Sequence, residues 1–120
     1  MKQDPGLILV LDDDSSMRQL LAAMLEGAGH QVVQASDGNA AIAYARQHVV
    51  SLLITDLVMP EPEGIETIQR FVQEFPLIPI IAMSAESDYL PAAQALGARG
   101  VLKKPFTRAD LQQAIRTVIG

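Results

Sequence analysis

The sequence contains no cysteine. Neither a disulfide framework nor a thiolate metal site can therefore exist in it. Long apolar runs are also missing: the longest apolar stretches are broken by charge or proline, well short of the roughly 20 residues a membrane span needs. Residues 1–6 lack the basic-then-apolar order of a secretory signal, so the chain is expected to be cytoplasmic. Basic residues are few, nine Lys and Arg against 14 Asp and Glu, for a formal net charge of −5. That balance argues against this domain gripping nucleic acid itself, because phosphate backbones select Lys/Arg-rich surfaces. No linker, internal boundary or low-complexity segment interrupts the chain.

What remains is the material of a globular fold. A chain of 120 residues, 49% hydrophobic and 19% charged, can bury about two thirds of its unfolded surface. One domain is expected over residues 1–120, and any effector domain would lie downstream. Leu7 to Leu11 is a continuous apolar run, the mark of a strand covered on both faces. Met17, Leu20, Leu21, Met24 and Leu25 then recur at helical spacing, and Gly27 and Gly29 close that helix. Gln31 to Ala35 reads as a second strand, Ser36-Asp37-Gly38 as a turn and cap, and an alanine-rich helix follows to about His48. The alternation continues: a strand from Leu52 to Asp56, a loop marked by Pro60, Pro62 and Gly64, and a helix with Ile65, Ile68, Phe71, Val72 and Phe75 on one side. A fourth strand spans Pro79 to Met83, and a weaker helix covers Asp88 to Leu96. A short fifth strand starts at Val101 and Leu102. Thr107 with Asp110 forms a capping box for a last helix buried through Leu111, Ala114, Ile115, Val118 and Ile119. Five strand–helix repeats predict an α/β fold, a doubly wound five-stranded parallel sheet with helices on both faces, in the flavodoxin-like order 2-1-3-4-5.

In such sheets ligands bind at the carboxyl ends of the strands, near the switch in strand order. Strand 1 delivers Asp12, Asp13 and Asp14 there, strand 3 Asp56, strand 4 Ser84, and strand 5 Lys103 and Lys104. Neighbouring carboxylates repel unless a cation neutralises them. All-oxygen ligation with few protein ligands suits Mg²⁺. A nucleophilic carboxylate, a divalent ion, a lysine and a hydroxyl together are the parts of a phosphoryl-transfer site.

Four segments carry a family resemblance. Ile8-Leu9-Val10-Leu11-Asp12-Asp13-Asp14 is similar to the first strand and acidic pocket of response-regulator receiver domains. Leu53 to Pro60 with Gly64 resembles their phosphoacceptor strand and loop. Ile80 to Ala85 resembles the strand with their switch hydroxyl, and Lys104-Pro105-Phe106 their lysine–proline signature. The likeness covers essentially the whole chain. It implies that Asp56 takes a phosphoryl group from a sensor histidine kinase or phosphotransfer protein. Asp13, Asp56 and the Val58 carbonyl would ligate Mg²⁺, with Asp12 acting through a metal-bound water. Lys104 would pair with the phosphoryl group, Ser84 would hydrogen-bond to it, and a cis peptide before Pro105 would aim Lys104 inward. The domain would be a stoichiometric phosphoacceptor rather than a turnover enzyme, catalysing its own phosphorylation and slow dephosphorylation. It would act on an effector domain or partner protein through the face of helix 4, strand 5 and helix 5.

Other residues read more plainly. Asp14 fits a helix N-terminus, Lys103 a solvated surface lysine, His30 and His48 surface positions at helix ends, and the methionines ordinary packing. Three positions depart from the commonest pattern: Val101 in place of Tyr or Phe, Pro62-Glu63 in the loop before Gly64, and Arg99-Gly100 in place of an acidic pair. Three rivals are weighed against this reading. Asp12, Asp14 and Ser16 give a D-x-D-x-S string near that of haloacid-dehalogenase-type phosphatases, but the length leaves little room for their later acidic pair and cap. A pseudo-receiver would not need the intact acidic set. A flavin-binding domain would need a Ser/Thr-rich phosphate loop after strand 1.

Overall fold

A computed structural model describes residues 6–57 and 63–119 of the chain. Ten elements alternate: β1 (Leu7–Leu11), α1 (Ser15–Gly27), β2 (Gln31–Ala35), α2 (Gly38–Gln47), β3 (Leu52–Asp56), α3 (Glu63–Glu74), β4 (Ile80–Ser84), α4 (Tyr89–Leu96), β5 (Gly100–Lys103) and α5 (Arg108–Ile119). The strands form one parallel sheet in the order β2-β1-β3-β4-β5, as the alternation predicts.

The period-2 geometry of a strand sends successive side chains to opposite faces, and two separate hydrophobic cores result. On one face Leu9, Leu11, Leu53, Ile80 and Ala82 meet Ala41 and Ile42 of α2, Ile68 and Phe71 of α3, and Ala93 of α4. On the other, Ile8, Val10, Leu52, Ile54, Ile81 and Met83 meet Leu21 and Leu25 of α1 and Leu111 and Ile115 of α5. β3 and β4 are buried throughout, which is why they lack polar residues before their last two positions. β2, on the edge, exposes Gln31 and Gln34.

Helix ends follow from local chemistry. The Asp14 carboxylate accepts the backbone N–H groups of Ser16 and Met17 at 2.9 and 3.3 Å, and Asp37 accepts that of Ala40 at 2.8 Å. Thr107 and Asp110 form the reciprocal capping box, both bonds 3.0 Å long. Asp88, the residue before α4, makes no side-chain cap bond, and the helix buries only Ala93. Among the described residues no helix is long and apolar enough to cross a membrane.

Four packing expectations need correction. Leu20 lies 57% exposed: the face of α1 that meets the sheet is narrow, and Leu21, Ala22 and Leu25 fill it. Ile119 is exposed because α5 passes Gly100, the first residue of β5, at Val118, which leaves no sheet beneath its last residue. Val72 is partly exposed, on the rim beside Gly97. His30 is half-buried rather than on the surface, with Nδ1 out of contact with solvent, because the turn after α1 leads it directly into β2. β4 also runs one residue later than the pattern suggests, so Ser84 is its last residue.

Candidate metal and phosphoryl site

The register sets the site. Leu11 pairs with Thr55, which places Asp12, just past β1, beside Asp56 at the end of β3. Asp12 continues the side-chain alternation of Ile8 and Val10, and Asp56 that of Leu52 and Ile54, so both carboxylates lie on the α1/α5 side of the sheet edge. Asp12 is 1% and Asp56 5% exposed, while Asp13 is exposed. One carboxylate oxygen from each of Asp12, Asp13 and Asp56 lies within 4.8 Å of the others. Burying two of these anions so close together is unfavourable without a cation.

Lys104 supplies part of that charge. Its Nζ donates to Asp12 Oδ2 at 3.1 Å and lies 3.4 Å from Asp56 Oδ1. The Lys104 backbone N–H bonds the Ser84 carbonyl at 2.9 Å, which fixes the start of this segment against β4. The Lys104–Pro105 peptide is cis. Lys103, the last residue of β5, is exposed. Ser84 is fully buried, and its Oγ accepts the backbone N–H of Glu86 at 2.9 Å. Its alternation follows Ile80 and Ala82, so it belongs to the opposite face from Asp56, the face of α3 and α4. Val101 pairs with Ala82 and packs on that same face, diagonally behind Ser84.

Asp12 is held at several points. Oδ1 accepts the Asp14 N–H at 3.0 Å, its own N–H reaches the Ala35 carbonyl at 3.3 Å, and its carbonyl accepts from Arg18 Nη1 at 2.7 Å. The Asp14 carboxylate is taken up by the N-terminus of α1, away from the D-x-D role of the phosphatase rival. Val58 lies outside the described residues, as do Pro60 and Pro62. His48 is exposed, stacked on Tyr44 with ring centroids 4.0 Å apart.

Arg18 belongs to none of the sequence motifs described above. One signal was there: a cation in the first turn of a helix opposes the macrodipole and so calls for a partner of its own.

A parallel five-stranded sheet in the order β2-β1-β3-β4-β5, with acidic side chains, a lysine and a hydroxyl at its carboxyl edge, defines a doubly wound α/β domain. The chain belongs to the response regulator receiver domain family, whose model matches residues 8–116. It is 36% identical over 121 residues to the transcriptional regulatory protein ZraR of Escherichia coli, covering 99% of this chain and 27% of ZraR. Among solved structures, the chemotaxis response regulator CheY4 of Vibrio cholerae superposes with a TM-score of 0.86 at 29% identity, covering 94% of this chain and 98% of CheY4. The response regulator TrrA of Thermotoga maritima, solved in complex with Mg²⁺-BeF, does so at 0.85 and 26% identity, covering 92% of this chain and 96% of TrrA. The chain spans between about a quarter and a half of the length of its curated relatives.

Proposed function

We propose that this domain, taken as one unit over residues 1–120, accepts a phosphoryl group on the carboxylate of Asp56 in a Mg²⁺-dependent reaction. The donor is a phosphohistidine on a sensor kinase or phosphotransfer protein. The observation that carries the reading is Lys104 Nζ, set 3.1 Å from Asp12 and 3.4 Å from Asp56: a fixed cation beside a buried nucleophilic carboxylate.

A carboxylate oxygen of Asp56 attacks phosphorus, a P–O bond forms, the P–N bond to the imidazole breaks, and the imidazole departs with the bonding electrons. Lys104 moves its ammonium from the carboxylates toward the new phosphoryl oxygens, and the buried Ser84 hydroxyl, at the end of β4, moves across the sheet edge to donate its proton to one of them. The oxygen donor set of Asp12, Asp13 and Asp56 fits Mg²⁺, with the Val58 carbonyl as a further ligand and water completing the shell. When bound, the ion supplies neutralising charge for the transferred group. The Mg²⁺-BeF complex of TrrA supports the choice of ion. The output follows from a cytoplasmic partner or downstream effector domain that reads the α4–β5–α5 face, with no nucleic acid bound by this domain.

Mass spectrometry before and after treatment with acetyl phosphate tests the reading. One phosphoryl group should be gained with Mg²⁺, none in excess EDTA and none in Asp56→Asn. Full labelling of Asp56→Asn would refute it.

A further inference from the structure

We infer that Arg18 is a positioning residue that holds the Asp12–Asp13 peptide so that Asp13 can serve as a metal ligand. The inference rests on the Mg²⁺ reading above and assigns that site a residue outside the acidic set.

Asp13 differs from its two neighbours in the cluster. Asp12 and Asp56 are buried and tied to Lys104. Asp13 is exposed, and its carboxylate has no hydrogen-bond or ion-pair partner among the described residues. Nothing bonded to the side chain itself sets where it points, so the direction of the main chain must. The relevant peptide is the one whose carbonyl belongs to Asp12 and whose nitrogen belongs to Asp13. Arg18, one turn into α1 and half-buried, donates Nη1 to that carbonyl at 2.7 Å, a short, charge-assisted bond. On the far side of Asp13, the Asp14 N–H is held by Asp12 Oδ1 at 3.0 Å. The two peptides that flank the Asp13 Cα are thus both clamped, one by Arg18 and one by Asp12. A rigid Cα with an unbonded carboxylate is a ligand aimed in advance.

The two effects Arg18 could have on a cation differ in sign. As a bare positive charge beside the acidic cluster, it would repel Mg²⁺, so its removal would tighten binding. As a clamp, its removal would let the Asp12–Asp13 peptide turn, and binding would weaken. Loss of a group that orients a metal ligand typically lowers affinity by about 10–100-fold. Because Arg18 is only half-buried and the repulsion works the other way, about tenfold is expected.

The experiment is a calorimetric titration with Mg²⁺ alone on the parent, Arg18→Ala and Arg18→Lys, with Tm measured in EDTA and backbone amide spectra recorded for each. The clamp predicts that Arg18→Ala binds Mg²⁺ about tenfold more weakly, with metal-free amide shifts confined to Asp13, Asp14 and their neighbours. Arg18→Lys, which keeps the charge and a donor, should recover part of the affinity. A folded Arg18→Ala that binds Mg²⁺ as tightly as the parent, or more tightly, overturns the inference and leaves the function reading intact. Should Arg18→Ala not fold, an unchanged affinity in Arg18→Lys together with an unmoved Asp13 amide overturns it equally. A parent that binds no Mg²⁺ overturns the function reading, and the inference falls with it.

Discussion

Replacing Asp13 with Asn should make the metal-free protein more stable and remove its stabilisation by Mg²⁺. Three carboxylate oxygens lie within 4.8 Å of one another; among the described residues the Lys104 ammonium is paired with two of those carboxylates, and the Arg18 guanidinium sits on the Asp12 carbonyl beside them. Two unit charges about 4.8 Å apart repel by about 0.9 kcal/mol at the dielectric of water and by about 3.5 kcal/mol at an effective dielectric of 20. Asp13 faces two such neighbours, and Lys104 offsets roughly one. Because Asp13 is exposed, screening by solvent puts the net relief near the lower figure, about 1 kcal/mol. For a domain of this size that raises Tm by roughly 3–5 °C. The order reverses when metal is added. At ten times its Kd, Mg²⁺ adds about 1.4 kcal/mol to the parent, while Asp13→Asn should gain almost nothing. Thermal unfolding in EDTA and in rising Mg²⁺, repeated at high salt to shrink the difference, reads both halves. A variant less stable than the parent in EDTA, or one that gains as much from Mg²⁺, would refute the reasoning.

Gly64→Ala should destabilise the fold by about 1–3 kcal/mol, read as a fall in the urea midpoint at unchanged m-value, because an added Cβ would lie 2.3 Å from the Leu57 carbonyl oxygen, and backbone cannot step aside. The Arg46 guanidinium, chiefly by hydrogen bonding, holds Glu74 below the usual glutamate range; the contribution is therefore present at neutral pH and lost as pH falls through the lowered value. Glu74→Gln should cost a little stability at pH 7 and progressively less as pH falls below the usual glutamate range or as salt rises, and a loss that does not change with pH would contradict the assignment. Lys104→Ala should impair the response to phosphorylation far more than Lys103→Ala, since only Lys104 faces Asp12 and Asp56; equal impairment in a labelling assay would count against the site. With beryllofluoride, backbone amides from Ser84 to Leu96 should shift more than the Val101 methyls, because a valine has one stiff χ1 and little reach whereas α4 is uncapped and buries only Ala93. A large Val101 rotamer change over a still 84–96 segment would reverse that conclusion.

The order of strands and the placement of Asp12, Asp56, Ser84 and Lys104 at one sheet edge were legible in the sequence because two strong rules act together. Unbroken apolar runs define covered strands, and right-handed crossovers leave few ways to order them. Strand-end polar residues must then meet at a common edge. Side-chain packing was less legible. Leu20 and Leu21 are chemically alike, and helical periodicity places both on the apolar stripe. Only the position of α1 over Ile8 and Val10 decides that Leu21 is buried and Leu20 exposed. Ile119 misled in the same way, since where α5 outruns β5 is a property of relative lengths and not of any residue.

Arg18 shows a further limit, and its cause is physical. Motif reasoning weighs residues whose own chemistry does the work: carboxylates, an ammonium, a hydroxyl. A group that acts on a peptide carbonyl bears no such mark, because a carbonyl is present at every position and the sequence does not say which one an arginine will find. What can be read is a conflict. Arg18 stands where the helix dipole disfavours a cation, close to where Asp14 draws benefit from the same dipole. A residue kept against the preference of its helix must be held by something outside that helix, and the 2.7 Å bond to the Asp12 carbonyl, just past β1, is that something. The same test applies to the acidic cluster, whose three carboxylates oppose one another in the absence of a cation. Among the described residues, two such conflicts, that of Arg18 and that of the three carboxylates, meet at one edge of the sheet, where the reading of a phosphoryl and metal site gives both a purpose.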